Sequence, residues 1–296
     1  MERKDRMDMS GAAALVGFAL VLAVNQVVIK LTNGGIGPVF LAALRSVGAV
    51  VVLLVWMRWR GIRLEMPPGT GWAGVLAGLF FAGEFICLFL ALDMTTVSRA
   101  SIIFYSMPVH LTIAGHFLIP GERMTRSKLA GLALAMGGVI WVMFDRSNGR
   151  ASLMGDVLAL GAALGWAAIA LTVRITPLAR VRPEQQLIWQ VSVSAVVLLA
   201  VAPLFGDLLR GPNVGHWAGL VFQIFAVASF GFLFWFSLMK KYPAASVASF
   251  SFLTPVFSVM LGWLVLGEHI GGEVIGGLCL VALGLVLINR GPRKAG

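Results

Sequence analysis

Glu84 is the residue whose type and position ask first for a chemical explanation. It lies in the run from Gly71 to Leu92, between Gly83 and Phe85, and no other charged residue occurs in that run. A charge at the centre of an apolar membrane helix costs roughly 2.5–3.5 kcal/mol to insert. Glu84 must therefore turn to a cavity or a partner rather than to lipid. Two chemistries fit. Either the carboxyl group meets a substrate ammonium or a coupled proton, or it is hydrogen-bonded and locks helix packing. The matching depth of the second half holds only Ser229, Phe230 and Gly231. The acid is thus an asymmetric addition, which favours the first chemistry.

Aromatic residues surround it at helical spacing. Phe81, Phe85 and Phe89 fall on one helix face, and Phe225, Ser229, Phe232 and Phe236 share a face of a later run. Such faces either line a pocket for a hydrophobic or aromatic side chain or meet lipid. Asn25, Ser101, Tyr105, Trp166, Trp235 and Ser249 are further cavity candidates. Pro108 and Pro255 sit inside apolar runs and take helical partners from the carbonyls of Phe104 and Ser251. Freed carbonyls at membrane depth are tolerated where they line a cavity. The two prolines read as hinges, with a static kink as the alternative. Glu122 and Glu268 follow glycines at helix ends and read as caps. Lys30 and Arg45 lie near the outer thirds of their helices and are expected to snorkel.

Other chemistries lack their residues. The sequence contains no His-Glu-x-x-His, no Gly-x-Ser-x-Gly and no phosphate-binding Gly-rich loop ending in Lys-Ser/Thr. His110 and His116 are off the spacing of helical metal pairs. Cys87 and Cys279 both fall in apolar runs. The expectation is a chain with no catalytic residues, no metal and no cofactor.

The elements that must position these residues follow from composition. The chain of 296 residues is 59% hydrophobic and 12% charged, against about 25% charged in a soluble domain. Ten apolar runs are readable, covering roughly 11–30, 37–57, 71–92, 96–118, 127–144, 153–174, 185–205, 215–238, 244–266 and 272–289. The first is too long for a signal-peptide core and reads as an uncleaved span. Lys and Arg alternate in density along the connections. Both termini and the even-numbered connections carry 17 (among them Arg58, Arg126, Lys128, Arg174 and Lys241), whereas the odd-numbered connections carry 5. This bias places both termini in the cytoplasm of a multi-pass inner (plasma) membrane protein. It also accounts for the net charge of +10 without nucleic acid as a partner.

The two halves repeat one another. Ser101, Pro108, Gly121-Glu122, Gly131 and Gly138 correspond to Ser249, Pro255, Gly267-Glu268, Gly277 and Gly284 at a nearly constant offset. Each repeat holds five spans, an odd number, so the second enters the membrane from the opposite side. The expected fold is an all-α integral membrane protein of ten transmembrane helices in two inverted five-helix repeats, residues 1–147 and 148–296. Inverted repeats are a signature of secondary transporters, because two related halves can exchange conformations around a midplane site. The Gly74/Gly78, Gly161/Gly165 and Gly272/Gly276 pairs permit close helix contact, within a monomer or in a homodimer.

The paired prolines, the two Gly-Glu pairs, Asn25-Gln26-Val27-Val28-Ile29-Lys30 and Ala43-Leu44-Arg45 resemble the drug/metabolite transporter superfamily in its EamA-type branch. Glu84-Phe85-Ile86-Cys87-Leu88 and Phe252-Leu253-Thr254-Pro255-Val256-Phe257-Ser258 are similar to bacterial aromatic amino-acid exporters of that branch. The resemblance implies a cavity lined by the third and eighth helices. It also implies export of small-molecule substrates from the cytoplasm, aromatic or hydrophobic amino acids foremost. Another metabolite or drug class of the superfamily is the alternative. An intramembrane enzyme or a channel is a distant one.

Overall fold

The computed structural model describes residues 8–65, 67–120, 124–144, 152–242, 250 and 252–289. Among them the chain is all-helical, apart from one isolated β-bridge between Ile36 and Leu209. The helices are α1 (Met9–Asn33), α2 (Pro38–Trp59), α3 (Gly71–Met94), α4 (Val97–Phe104), α5 (Met107–Leu118) and α6 (Arg126–Phe144) in the first half. The second half supplies α7 (Leu153–Ile175), α8 (Pro183–Val201), α9 (Val214–Phe222), α10 (Phe230–Lys241), α11 (Leu253–Leu266) and α12 (Gly272–Asn289). Eight described segments are long and apolar enough to cross a bilayer, and two further apolar helices, Leu253–Leu266 and Gly272–Ile288, are shorter. Large apolar side chains cover the outside, such as Phe117, Val196 and Val55, as expected where the solvent is lipid. This is a multi-span membrane protein.

Helix starts follow local chemistry. Asp8 caps α1 by accepting from the Gly11 N–H at 2.8 Å, and Ser152 caps α7 through the Gly155 N–H. Proline opens α2 and α8, where its missing N–H costs no helical bond.

Two runs that the sequence presents as continuous helices are interrupted. The run 96–118 breaks at Tyr105 and Ser106 into α4 and α5. Pro108 therefore lies in the first turn of α5 instead of kinking a single helix. Pro255 likewise occupies the first turn of α11. The residues 243–249 and 251, which include Ser249 and the freed-carbonyl candidate Ser251, lie outside the described residues, as do Gly121 and Glu122. The run 215–238 is interrupted by a π-helical segment, Gln223–Ser229, between α9 and α10. Wide turns of this kind inside membrane helices often accompany functional sites.

The repeat glycines meet each other. On α6 and α12, a Cβ at Gly131 would collide with the Gly284 carbonyl, and one at Gly138 with the Gly277 carbonyl. Position numbers rise along one helix as they fall along the other, so the two helices run antiparallel through a seam of bare backbone. Gly74 and Gly78 admit Trp189 and Val193 of α8, while Gly161 and Gly165 of α7 admit Cys87 and Glu84 of α3. These small-residue contacts are made within one chain.

One end of the bundle is tied by buried polar groups. Arg99 of α4 makes a two-pronged ion pair with Asp156 of α7, Nη2 to Oδ2 at 2.6 Å and Nε to Oδ1 at 3.2 Å. The two side chains are 1% and 0% exposed. Thr95 Oγ1 donates to the same carboxylate at 3.0 Å. Glu268 accepts from the N–H of Val97 (2.6 Å) and from the N–H (3.0 Å) and hydroxyl (2.6 Å) of Ser98. It is a carboxylate from the second half sitting on the N-terminus of a first-half helix, where the helix dipole favours negative charge. Gly267, at φ +62°, turns the chain after α11 to aim it there. Lys30 does not snorkel, because Nζ donates to the carbonyls of Leu92 (2.8 Å) and Thr95 (2.7 Å). At the same end Arg210 reaches Asp93 and the Asn33 carbonyl.

Two predictions follow from packing and pairing. Gly138→Ala should cost about 1–3 kcal/mol through overpacking, whereas Gly137→Ala, whose Cβ would meet nothing within 4 Å, should be neutral or stabilising. Melting of the purified protein in detergent reads both. Asp156→Asn should destabilise by about 3–5 kcal/mol, because it leaves Arg99 buried without its countercharge. The double replacement Asp156→Leu with Arg99→Met should recover much of that loss in the same assay.

Candidate functional site

Between the two halves lies a cavity of about 620 Å³, within the range of about 300–1,000 Å³ typical of small-molecule sites. Its walls come from α1 (Asn25, Gln26), α2 (Arg45), α3 (Phe81, Glu84, Phe85), the α4–α5 break (Tyr105, Pro108) and α7 (Trp166, Ile169). The second half adds Val227 of the π-helical segment, Phe232 and Trp235 of α10, Phe250 and Thr254. The cavity extends from the helix centres to the half-buried Lys128 at the start of α6 and the exposed Arg174 at the end of α7. That end is opposite to the one tied by Asp156 and Glu268.

The inner end of the cavity holds a buried acid and a buried base. Glu84 is 5% exposed and Arg45 is 3% exposed, and both line this cavity. The Arg45 guanidinium carbon lies over aromatic rings, 4.5 Å from the centre of Phe85 and 5.7 Å from that of Phe89. Its Nε has no hydrogen-bond partner, and neither does Asn25 Oδ1 or Gln26 Oε1 among the described residues. The Tyr105 hydroxyl lies beside Thr254. Around this polar patch the aromatics interlock. Phe81 and Phe85 are 4.3 Å apart between centroids, and Phe81 reaches across to Phe232 at 6.3 Å. Trp166 stacks on Phe104 at 5.0 Å and meets Tyr105 edge-on at 6.1 Å.

Of the residues that the sequence singles out, Asn25, Phe81, Glu84, Phe85, Tyr105, Pro108, Trp166, Phe232 and Trp235 come together on these walls. Phe89 is fully buried behind Phe85 and supports it. Ser101 and Ser229 are buried in helix contacts, and Pro255 is buried beside the lining residue Thr254. Phe225 points outward, 45% exposed and stacked on Phe230, because the extra residue of the π-helical segment rotates the face expected from regular spacing. Ser249 and the side chain of Phe236 lie outside the described residues. Sequence reasoning missed Arg45 as a wall residue. The signal was present, since a second charge lies inside an apolar run, but its place nearer a helix end suggested snorkelling. Gln26 and Thr254 carried no such signal.

Comparison with known proteins gives the geometry its family. The model of the EamA-like transporter family matches residues 9–144 and again 153–290. A probable amino-acid metabolite efflux pump of Escherichia coli is 27% identical over 99% of this chain and 97% of that protein. The aromatic amino acid exporter YddG of Ancylobacter novellus is 24% identical over 84% of this chain and 87% of that one. A crystal structure with 23% identity superposes at a TM-score of 0.67, covering 94% of this chain and 97% of its own, and shows the same fold. With both halves matched by one family model around a shared central cavity, the chain belongs to the EamA-like transporter family.

Proposed function

We propose that this transporter exports aromatic and hydrophobic amino acids, or close metabolites of them, from the cytoplasm by alternating access. The observation that carries the reading is the pairing of a cavity sized for a small metabolite with a polar seal at one end only. The cavity supplies aromatic walls for an apolar side chain and buried polar groups for a charged head. The seal of Arg99, Asp156, Glu268 and Lys30 stands between it and the opposite face. A channel would need a continuous path, which these ties oppose.

In this reading the molecule has ten spans in two inverted repeats, residues 1–147 and 148–296, in the inner membrane with both termini cytoplasmic. The antiparallel seam of Gly131, Gly138, Gly277 and Gly284 supports the inversion, since equivalent helices of two repeats with the same orientation would run parallel. The basic connections group with the cavity mouth, so the arrangement corresponds to an inward-facing state. Pro108, at the α4–α5 break, and Pro255 serve as paired hinges. The names of the relatives from Escherichia coli and Ancylobacter novellus agree with amino-acid cargo. Glu84 serves as the ammonium or proton site. Its partner cavity residues are Asn25, Phe81, Phe85, Tyr105, Trp166, Phe232 and Trp235, with Phe89 behind them.

Proteoliposomes offered a panel of labelled amino acids, with and without a pH gradient, test this directly. Aromatic and branched amino acids should move fastest. Glu84→Gln should reach the membrane yet transport more slowly by about tenfold or more, the equivalent of about 1.4 kcal/mol on the barrier. Wild-type rates in that variant would remove Glu84 from the mechanism. Preference for an anionic phosphate compound would overturn the amino-acid assignment.

A further inference from the structure

We propose that Arg45 and Glu84 form a two-headed clamp that reads the zwitterionic head of the substrate, Arg45 taking the α-carboxylate and Glu84, with Asn25 and Gln26, the α-ammonium. The inference rests on the amino-acid reading above and deepens it. It begins from three residues that line the cavity and each carry a buried polar atom without a partner among the described residues: the Nε donor of Arg45 and the acceptors Asn25 Oδ1 and Gln26 Oε1. Their residues are 3%, 6% and 3% exposed. Buried polar groups are nearly always paired, and these three residues line one cavity beside Glu84, so together they offer a ligand there both donor and acceptor capacity. One donor on a cation, with two neutral acceptors and a carboxylate, is the complement of a carboxylate plus an ammonium.

Charge balance points the same way. With Glu84 ionised, Arg45 and Glu84 sum to zero, so a zwitterion enters without adding net charge to a poorly solvated place. A simple amine or a simple acid leaves one of the two wall charges uncompensated there. Arg45 is also held ready. Its guanidinium packs over Phe85, with Phe89 behind, which leaves less side-chain freedom to lose on binding. Phe81, Phe232 and Trp235 remain for the side chain. In this arrangement the head group is recognised tightly and the side chain loosely, so the clamp selects amino acids as a class and the aromatic walls grade them.

The test is counterflow uptake of labelled L-phenylalanine into proteoliposomes, competed by unlabelled phenylalanine, by phenethylamine, which lacks the carboxylate, and by hydrocinnamate, which lacks the ammonium. In the wild type each one-headed analogue should compete about tenfold or more weakly than phenylalanine, because a site built for a polar group rejects the analogue without it. Arg45→Gln should erase the preference over phenethylamine and keep that over hydrocinnamate. Glu84→Gln should do the reverse, and Arg45→Lys should restore part of the carboxylate preference. Should a variant fail to reconstitute, the wild-type analogue series decides alone. Equal competition by the one-headed analogues, or a uniform loss for all three compounds in Arg45→Gln, would overturn the clamp while leaving amino-acid export standing. Absence of transport for every amino acid would overturn both.

Discussion

A charge buried among apolar helices must be met by protein, because lipid offers it nothing. This constraint sorts the interior into two kinds of place. At the tied end each charge has its answer: Arg99 has Asp156, Glu268 has the start of α4, and Lys30 has two carbonyls. At the inner end of the cavity the answer is incomplete, and Arg45, Asn25 and Gln26 present atoms that nothing in the described chain satisfies. The paired charges hold helices together, whereas the cavity residues keep hydrogen-bonding capacity in reserve. Both arise from one cost, applied at different depths of the same bundle.

The tied end also links the halves of the chain. Glu268 reaches from the turn after α11 to α4, and Gly262 leaves room for it, since a Cβ there would strike both Glu268 and the Ser98 hydroxyl. The glycine seam between α6 and α12 works differently. At its glycines it is apolar and close, and among the described residues it holds no ion pair, so it can stay packed while polar ties elsewhere exchange for water. A rigid seam and a breakable polar latch are the two mechanical parts that a rocking bundle needs.

Much of this was legible in the sequence because membrane burial leaves strong marks. An acid in a long apolar run, aromatics at every fourth position and glycines recurring at a constant offset each narrow the physical readings to two or fewer. Glu84, Phe81, Phe85 and the close contacts of Gly74, Gly78, Gly161 and Gly165 were found that way. Breaks in helix regularity were not legible. The π-helical segment turned Phe225 outward, and the gap at Tyr105 and Ser106 moved Pro108 from a helix interior to a helix start. Partner choice was equally hidden. Lys30 read as a snorkelling charge, because the carbonyls that hold it come from a distant part of the chain.

The central claim is that the two ends of the cavity are sealed in turn. In a background with Cys87 and Cys279 replaced by alanine, a single cysteine at the cavity residue Ala170 can be probed with a membrane-impermeant thiol reagent from each face. The account predicts labelling from the face bearing the termini when substrate is absent, and labelling from the opposite face only while substrate is being transported. Reaction from both faces at once, or from neither under any condition, would contradict it.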